Sequence, residues 1–421
     1  MKFGGTSVAD AERIKRAARR IVAKREAGYN VVAVLSARGK ETDRLIADAY
    51  EISERPDPRE MDMLLSTGER VSCALCAMAI HDLGHRAISL TGSQAGIVTD
   101  TSHTKARILE VRADRIREAL AEGAIVLVAG FQGVSTSRDV TTLGRGGSDT
   151  TAVALAAAIG AVECEIYTDV EGVYTADPRV APKARKLDYV LFEEMLEMAW
   201  SGAGVLQPRS VEYARNHGVR IHCRSSFTDR PGTYVVSEEE ARSKNMEQPL
   251  ITAVTHAAGE ARVTLVGVPD TPGIAGRVTS ALADANVNID MIIQNEPRAA
   301  DQPAEMSFTV PRDDLLTARD ALEPIAKELG IEVTTDENIG KVSVVGAGMK
   351  THPGVAARVF SVLGDEGINI HMISTSPIRI SCVIPKDRLE DAVRALHSAF
   401  ELEGEDTIRP EQPFGEEVAS S

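Results

Sequence analysis

One stretch of this chain, residues 124–160, joins a buried strand to an apolar helix through a glycine-rich loop. The run AIVLVA at 124–129 has the length and composition of a buried strand. The segment GRGG at 144–147 and the polar residues 148–151 precede an alanine-rich segment, which predicts a helix. Unpaired N–H groups at a helix N-terminus bind anions, and glycines let the anion approach closely. The pattern predicts a phosphate or carboxylate site, although it also fits an ordinary helix cap behind a flexible loop.

The first 237 residues alternate apolar strands with helical segments. Besides 124–129, strands are predicted at 29–35, 87–90 and 163–167, and helices at 9–27 and 61–83, the latter interrupted around 66–70. This alternation predicts an α/β domain with a mostly parallel sheet between helix layers. Polar loops follow the strands and should gather at one edge of the sheet, where ligands bind. These loops are 36–43, 91–93, 130–149 and 168–179.

Charge and cysteine content exclude several kinds of partner. The formal net charge of −15 argues against nucleic acid and anionic membranes as partners. No uninterrupted apolar run approaches the roughly 20 residues that span a bilayer. Five cysteines, an odd number, fit a reducing compartment, so we expect a cytoplasmic protein. Cys73 and Cys76 form a CxxC inside an apolar helical run, which favours buried structural thiols over zinc or redox chemistry.

Common nucleotide-binding signatures are missing, and other motifs take their place. Neither G-x-x-x-x-G-K-[ST] nor G-x-G-x-x-G after a strand is present. Instead, KFGGTS at 2–7 and GRGGSD at 144–149 resemble the amino-acid kinase superfamily. Together with TGER at 67–70, TGSQAG at 91–96 and TDVEGVYTADPR at 168–179, they make the chain similar to aspartate kinases over nearly its whole length.

The resemblance implies a specific phosphoryl transfer. Family members transfer a phosphoryl group from ATP to the side-chain carboxylate of L-aspartate, giving 4-phospho-L-aspartate, the first step of lysine, threonine and methionine biosynthesis. The nucleophile is already an anion at pH 7, so no general base is required. Catalysis then depends on positioning and on neutralising charge. We expect Mg²⁺ to be carried on the ATP phosphates, because no dedicated set of metal-ligating carboxylates is visible.

The resemblance also assigns the nucleotide contacts. Lys2 would bridge the β- and γ-phosphates, and the N–H groups of Gly4 and Gly5 would cradle them. Asp149 would hold Lys2 or a metal-bound water in place. Adenine and ribose would lie on the later motif, with contacts from Thr168, Asp169, Tyr174, Asp177 and Arg179.

Aspartate would be held by groups of opposite charge. Glu69 would bind the substrate ammonium group, and Arg145 would bind a carboxylate through two parallel hydrogen bonds. Hydroxyl groups of Ser36, Thr42 and Ser148 are candidate donors to the remaining carboxylate oxygens. The alternative for Glu69 is a helix-capping carboxylate, since it follows a Thr-Gly turn.

Two positions depart from the family pattern. Many relatives have lysine in a Gly-Ala-Lys-Val-Leu run near the nucleotide, whereas this chain has glycine at Gly204, which removes one expected ATP contact. Relatives also have several apolar residues before the Lys-Phe-Gly-Gly turn, where this chain has only Met1. We therefore expect most of the first strand to be absent, and the start of the sequence to be trimmed or wrongly assigned.

The second half of the chain repeats itself. PGIAGRV at 272–278 corresponds to PGVAARV at 353–359, and NIDMI at 288–292 corresponds to NIHMI at 369–373. Each unit is predicted as strand, helix, strand, strand, helix, and the first unit adds a strand at 331–335. The pattern resembles paired ACT domains, small βαββαβ modules that bind amino acids where they pair.

The second unit lacks its last strand, and the unassigned strand LITAVT at 250–255 can fill that edge. The first module would then be nested inside the second; two independent modules would leave an exposed edge strand. The predicted domains are a catalytic domain at 1–237, a polar linker at 238–249, the completing strand at 250–258, a first module at 259–338, a second module at 339–405 and a polar tail at 406–421.

The resemblance implies feedback inhibition by lysine, threonine or both, bound where modules pair. The residues expected there are Asp270, Ile274, Asn288, Ile289 and Gln294 in the first unit, and Val355, Asn369, Ile370 and Ser374 in the second. We expect a homo-oligomer, or a dimer with a separate chain that has only ACT domains. Alternative functions are another amino-acid kinase, of the glutamate or acetylglutamate type, and a non-catalytic amino-acid sensor on a kinase fold.

Overall fold

The structure, a computed structural model, describes residues 1–243, 249–269, 271–295 and 304–404, and these form two compact units. The first unit comprises Met1–Val173, Lys186–Ala199 and the described part of Gly204–Glu247. The second comprises Tyr174–Arg185, Trp200–Ala203 and the described part of Gln248–Ser421. The predicted catalytic domain, 1–237, is therefore interrupted, because two of its segments pack with the second unit.

The first unit is built on an eight-stranded sheet with the order β10-β12-β11-β9-β1-β2-β6-β3. All neighbouring strands in it are parallel except β11 and β12, which confirms the predicted mostly parallel sheet. A smaller sheet has the order β5-β4-β7-β8. The strands are β1 (Lys2–Phe3), β2 (Val32–Leu35), β3 (Ala87–Leu90), β4 (Ile97–Thr99), β5 (Ile108–Val111), β6 (Ile125–Ala129), β7 (Gln132–Ser135), β8 (Val140–Thr142), β9 (Cys164–Thr168), β10 (Tyr189–Leu191), β11 (Ile221–Ser225) and β12 (Thr233–Val236).

Helices cover the large sheet. Apolar residues of α1 and α4 share a core with alternate residues of β1, β2 and β6. The helix α6 contacts β1, β2 and β9 and packs against α8. The helices are α1 (Ala11–Glu26), α2 (Glu41–Ile52), α3 (Pro58–Leu65), α4 (Thr67–Asp82), α5 (Asp114–Ala121), α6 (Gly147–Ile159), α7 (Phe192–Trp200), α8 (Pro208–His217) and α9 (Glu238–Ser243).

The first strand is short but central. β1 has two residues, and it pairs in parallel with β2 on one side and β9 on the other. Phe3 is fully buried and stacks on Tyr167, with 4.8 Å between ring centroids. This places Lys2 and the glycine turn that follows it at the carboxyl ends of the central strands, where ligands of parallel sheets bind.

Two local predictions differ from the structure. The segment after Ser237 was predicted as linker, but α9 forms there, with Ala241 fully buried and Glu240 in an ion pair with Arg220 at 2.5 Å. The hydroxyl of Ser237 accepts a hydrogen bond from the Glu240 N–H, which caps the helix. The helix of the glycine loop begins at Gly147, several residues before the alanine-rich segment that predicted it.

The interrupted helix at 58–82 is the one described stretch long and apolar enough by composition to cross a membrane. It is divided at Ser66 into α3 and α4, and half of its most apolar window is buried. Cys73 and Cys76 lie on its buried face, and burial raises the pKa of the Cys76 thiol to about 12. The CxxC thiols are therefore buried, as predicted.

The second unit contains two four-stranded sheets, with the orders β15-β16-β14-β17 and β13-β18-β20-β19. The strand β13 pairs antiparallel with β18, so the apolar run before the first repeat extends the sheet of the second repeat. The strands are β13 (Ala253–Ala257), β14 (Glu260–Val268), β15 (Asp290–Asn295), β16 (Ala304–Pro311), β17 (Glu332–Asp336), β18 (Ile339–Val345), β19 (Met372–Ser376) and β20 (Arg379–Pro385). The helices are α10 (Ile274–Asp284), α11 (Leu315–Leu329), α12 (Val355–Asp365) and α13 (Leu389–Ala399).

The two sheets of this unit also contact each other. Met291 of the first sheet packs with Met372 and Val383 of the second in a small apolar cluster. Lys341 of β18, only 2% exposed, makes ion pairs with Glu260 at 2.5 Å and Asp290 at 2.9 Å. The first module is therefore attached to the second by both apolar contacts and ion pairs to the buried Lys341.

Candidate active site

A cavity of about 320 Å³ in the first unit brings together loops that are far apart in the sequence. Loop 36–43, the start of α4 and the glycine-rich loop before α6 all contribute to its wall, as the sheet-edge prediction requires. Its lining residues are Lys2, Gly5, Ser36, Ala37, Gly39, Thr42, Glu69, Phe131, Arg145, Gly146, Gly147, Ser148, Asp149 and Gln207. A neighbouring cavity of about 430 Å³ shares Gly39 but contains none of the predicted site residues.

Lys2 and Asp149 form the charged centre of this cavity. The Lys2 Nζ lies 2.6 Å from Asp149 Oδ1, and the two side chains are only 12% and 9% exposed. β1 supplies the lysine and the first turn of α6 supplies the aspartate. Asp149 can therefore fix the direction of the ammonium group while leaving its other N–H bonds for an anion in the cavity.

The glycine turn after β1 is closely packed against loop 36–43. A Cβ on Gly5 would lie 2.9 Å from the Ala37 carbonyl oxygen and 3.0 Å from that of Gly39, so only glycine fits. Gly5 opens the 3₁₀ turn Gly5–Val8, whose first N–H groups have no partner inside the turn. The N–H of Gly4, however, donates to the Tyr167 carbonyl at 3.2 Å, because the pairing of β1 with β9 continues through it. This N–H is thus already paired in the structure, and the phosphate contacts of Gly4 and Gly5 stay predictions.

The glycine-rich loop places Arg145 and the N-terminus of α6 at the cavity. Gly146 has φ +73°, and a Cβ on it would lie 1.9 Å from Gln207 Cγ. Both the left-handed backbone conformation and the close packing therefore require glycine. No side chain among the described residues caps α6, which leaves the positive end of the helix open toward the cavity. Arg145 is exposed and Ser148 is buried beside Gly130. The site therefore offers anions both an exposed cation and fixed backbone donors.

Glu69 is a buried carboxylate with an unused oxygen. It is 3% exposed, on the first turn of α4, and its Oε1 accepts a hydrogen bond from the Ala37 N–H at 3.2 Å. Its Oε2 is buried without a hydrogen-bond partner among the described residues. Burial raises the pKa of this carboxyl group to about 7. A bound ammonium group would supply the missing partner and favour the ionised form.

Three predicted hydroxyl donors also line the cavity. Ser36 follows β2 directly, and Thr42 lies in the first turn of α2; both line the cavity with Ser148. Thr168 ends β9 and donates to the Asp169 carboxylate at 3.1 Å, within the same unit. Their predicted contacts with substrate and nucleotide stay predictions.

The three other predicted nucleotide contacts lie in the second unit. Tyr174 is 8% exposed and packs in a core with residues of β18 and α12. A nucleotide contact of Tyr174 stays a prediction. Asp177 accepts hydrogen bonds from the Arg179 guanidinium at 2.7 to 3.2 Å, in the same unit. Nucleotide contacts by Asp177 and Arg179 stay predictions.

The predicted effector residues occupy matching places in the two modules. Ile274 and Val355 begin α10 and α12 and are each 7% exposed, after glycines with φ +97° and +100°. Asn288 and Ile289 precede β15, and Asn369 and Ile370 precede β19; both strands are sheet edges. Gln294 lies exposed on β15. Ser374 lies on β19 and is paired with Ser381 of β20. Asp270 lies outside the described residues. Effector binding here stays a prediction.

Sequence reasoning missed Gln207, which lines the cavity. It precedes Pro208 at the first position of α8, so the Gln-Pro helix start was the available signal. One group of three possible metal ligands occurs in the described residues, at Glu163, Glu165 and His222. Glu165 already contacts Lys24 at 2.9 Å and Arg224 at 3.2 Å, so this group is a balanced charge network.

Comparison with known proteins agrees with this arrangement. Residues 1–225 match the amino acid kinase family, and residues 262–330 and 342–400 each match the ACT domain. The aspartokinase of Mycolicibacterium smegmatis is 56% identical over 407 residues, which cover 96% of each chain.

Two solved structures of E. coli aspartokinase III are also similar. The complex with aspartate and ADP (R-state) has a TM-score of 0.80 at 26% identity and covers 94% of this chain and 98% of that one. The complex with lysine and aspartate (T-state) has a TM-score of 0.71 at 28% identity and covers 95% and 98%. The chain therefore belongs to the aspartokinases of the amino acid kinase family and carries two ACT domains.

Proposed function

We propose that this enzyme transfers the γ-phosphoryl group of ATP to the side-chain carboxylate of L-aspartate, forming 4-phospho-L-aspartate and ADP. One observation carries the proposal: the Lys2–Asp149 pair at 2.6 Å and the buried, half-paired Glu69 line a single cavity. The Lys2 ammonium group suits a phosphate, and the unpaired Glu69 oxygen suits an ammonium group. The aspartate and ADP in the E. coli enzyme support the same substrates for this chain.

Lys2 supports the transfer by charge and position. Its ammonium group, directed by Asp149, neutralises charge as the phosphoryl group passes between two anionic partners. The N-terminus of α6 and the first N–H groups of the Gly5–Val8 turn add fixed donors that need no rearrangement. Because the attacking carboxylate is already ionised, the site needs no general base.

Other residues that line the cavity would orient the aspartate substrate. Glu69 would bind the aspartate ammonium group through Oε2, and Arg145 the α-carboxylate through two hydrogen bonds. Ser36, Thr42 and Ser148 also line the cavity, and their hydroxyls would donate to the remaining oxygens. These contacts would leave the side-chain carboxylate facing Lys2 and the γ-phosphate.

Mg²⁺ is expected to enter with the nucleotide. Glu69 and Asp149 are the carboxylates that line the cavity, and Asp149 is engaged by Lys2. Such a donor set fits an ion held mainly by phosphate oxygens and water. When bound, the ion would neutralise phosphate charge.

We further propose that the ACT domains make the enzyme feedback-regulated by lysine, threonine or both, as a cytoplasmic enzyme of amino-acid biosynthesis. The lysine complex of the E. coli enzyme supports an amino-acid effector. Edge strands β15 and β19 could pair with other modules in a homo-oligomer, or with a separate chain of ACT domains.

An ATP-dependent hydroxamate assay tests the activity. Hydroxylamine traps an acyl phosphate, so aspartate should give hydroxamate while glutamate and N-acetylglutamate give little. Product with glutamate or acetylglutamate instead would indicate another amino-acid kinase. No product with any of the three, alongside effector binding, would indicate a sensor and contradict the proposal. Titration with lysine and threonine, separately and together, identifies the inhibitor.

A further inference from the structure

The loop that carries Arg145 is anchored at its base by residues outside the cavity. β8 ends at Thr142, and Arg145 is three residues farther along the chain. Among the polar contacts of the described residues, none holds the exposed Arg145 side chain itself. The position of its guanidinium therefore depends on how firmly Thr142 and Leu143 are fixed.

Asp62 fixes the base from the α3 side. It is fully buried on an otherwise apolar stretch of that helix. One carboxylate oxygen accepts from the Thr142 hydroxyl at 2.5 Å, and the other shares a hydrogen bond with His103 Nδ1 at 2.7 Å. The Thr104 N–H donates to both oxygens at 3.1 Å. A single carboxylate thus joins α3, β8 and the loop at 103–104.

This loop in turn supports Gly144. Thr104 has φ +65°, a left-handed conformation that threonine rarely adopts, and the two bonds from its N–H to Asp62 hold it there. A Cβ on Gly144 would lie 3.1 Å from the Thr104 carbonyl oxygen. Gly144, next to Arg145, therefore packs against Thr104, whose backbone conformation is held by Asp62.

Arg209 fixes the base from the opposite side. Its guanidinium donates to the Leu143 carbonyl at 3.0 Å and to the Ala106 carbonyl at 2.9 Å. The Ala106 N–H donates to the Thr142 carbonyl at 2.9 Å, which closes the arrangement. Arg209 lies on α8, two residues after Gln207, which packs against Gly146. A planar guanidinium can bridge two carbonyls in this way, whereas a lysine ammonium cannot reproduce the geometry.

We propose that Asp62 and Arg209 are positioning residues that set the affinity of the enzyme for aspartate through Arg145. Neither residue lines the cavity, and neither is assigned a contact with substrate. Together they fix the backbone of segment 142–144. Arg145 is therefore already positioned for the substrate carboxylate before aspartate binds. The inference rests on the proposed role of Arg145.

The test compares the KM values for aspartate and ATP in purified full-length variants. Asp62→Ala removes the carboxylate oxygens that accept from Thr142 and Thr104. The resulting small misplacement of Arg145 should raise the aspartate KM by about tenfold and leave the ATP KM unchanged. Asp62→Asn keeps one oxygen for Thr142 and Thr104 and should restore most of the affinity. Arg209→Lys should raise the aspartate KM in the same way.

Asp57→Ala is the matched control. Asp57 caps the same helix through the Arg59 and Glu60 N–H groups, which lie on α3 itself and not on the loops. Its loss should therefore lower the melting temperature by a few degrees without changing either KM. If Asp57→Ala raises the aspartate KM as much as Asp62→Ala, the effect is general destabilisation and the proposal fails. If Asp62→Ala does not fold, Arg209→Lys decides the question, and an unchanged aspartate KM in that variant overturns the proposal.

A double mutant separates this inference from the proposed function. In an Arg145→Ala background, Asp62→Ala should add little further increase in aspartate KM, since the effect passes through Arg145. Additive effects would overturn the proposal. If Arg145→Ala alone leaves the aspartate KM unchanged, the proposed role of Arg145 is wrong. If Arg145→Ala raises it and neither Asp62→Ala nor Arg209→Lys does, only the positioning role is wrong.

Discussion

Replacing Glu69 with glutamine should weaken aspartate binding and stabilise the free enzyme at the same time. The glutamine side chain keeps an oxygen for the Ala37 N–H but has no charge for the substrate ammonium group. A hydrogen bond to a charged partner contributes about 1.5–3 kcal/mol, so the aspartate KM should rise roughly ten- to a hundredfold. The ATP KM should not change, because the lost contact is to the amino acid alone.

The pH dependence follows from the raised pKa. Burial raises the pKa of Glu69 from an ordinary 4.5 to about 7 in the folded protein. Only the ionised form attracts ammonium, so the aspartate KM of the parent enzyme should rise about tenfold between pH 8 and pH 6. The Glu69→Gln variant should show a flat aspartate KM over this range.

Stability should change in the opposite direction. Because the folded pKa is raised, ionising Glu69 destabilises the substrate-free fold; the penalty is absent below about pH 4.5, grows up to about pH 7 and is constant above it. Its full size is about 3 kcal/mol, from about 1.4 kcal/mol per pKa unit. Glu69→Gln should therefore raise the melting temperature at pH 8 and give no such gain near pH 5.

Initial-rate measurements with coupled ADP detection at pH 6, 7 and 8, and thermal unfolding at pH 5 and 8, test both effects. An unchanged aspartate KM in the variant, or a parent KM that does not depend on pH, would refute the ammonium contact. A melting temperature gain of equal size at both pH values would refute the ionisation argument.

Four further substitutions test other parts of the active site and the predicted effector site. Lys2→Ala and Asp149→Ala should each lower kcat by about a hundredfold or more, the usual loss for one electrostatic stabiliser, and near-normal turnover in either would contradict its role. Gly204→Lys should fold normally, since a Cβ there meets no atom within 4 Å. It should lower the ATP KM by up to about tenfold if the lysine of relatives contacts the nucleotide; an unchanged value would show that the position does not reach ATP. Ser374→Tyr should relieve inhibition by lysine or threonine while kcat stays within about threefold, and full inhibition of this variant would place the effector elsewhere.

Regular features of the fold were predictable because they depend on short-range patterns. The strand at 125–129 and the helices around it follow from hydrophobic periodicity. The repeated Pro-Gly turns predicted two similar modules, and the apolar run at 250–255 predicted a strand that the structure pairs with β18. α9 was missed because its glutamate-rich sequence has almost no apolar face and depends on burial of Ala241 alone.

The site was predictable only in part because its contacts are long-range. Family resemblance, not spacing, joined Lys2 to Asp149 across the chain. The pairing of the Gly4 N–H with Tyr167 was not predictable, because it depends on strand register. The place of Tyr174 in the second unit was not predictable either, because nothing in its local sequence shows that its segment packs there. The sequence gives one indication that Asp62 is buried: it is a single acidic residue within the apolar run MDMLL at 61–65.

The most direct test of the central claim follows an isotope from aspartate into the product. With aspartate labelled with ¹⁸O in its side-chain carboxylate, attack by that carboxylate on the γ-phosphorus of ATP leaves ¹⁸O in the bridge between carbon and phosphorus. ³¹P NMR of the product mixture should then show an acyl phosphate signal with the upfield shift of a P–¹⁸O bond. An acyl phosphate without that shift, or aspartate-dependent ADP release without any acyl phosphate, would contradict the proposed reaction.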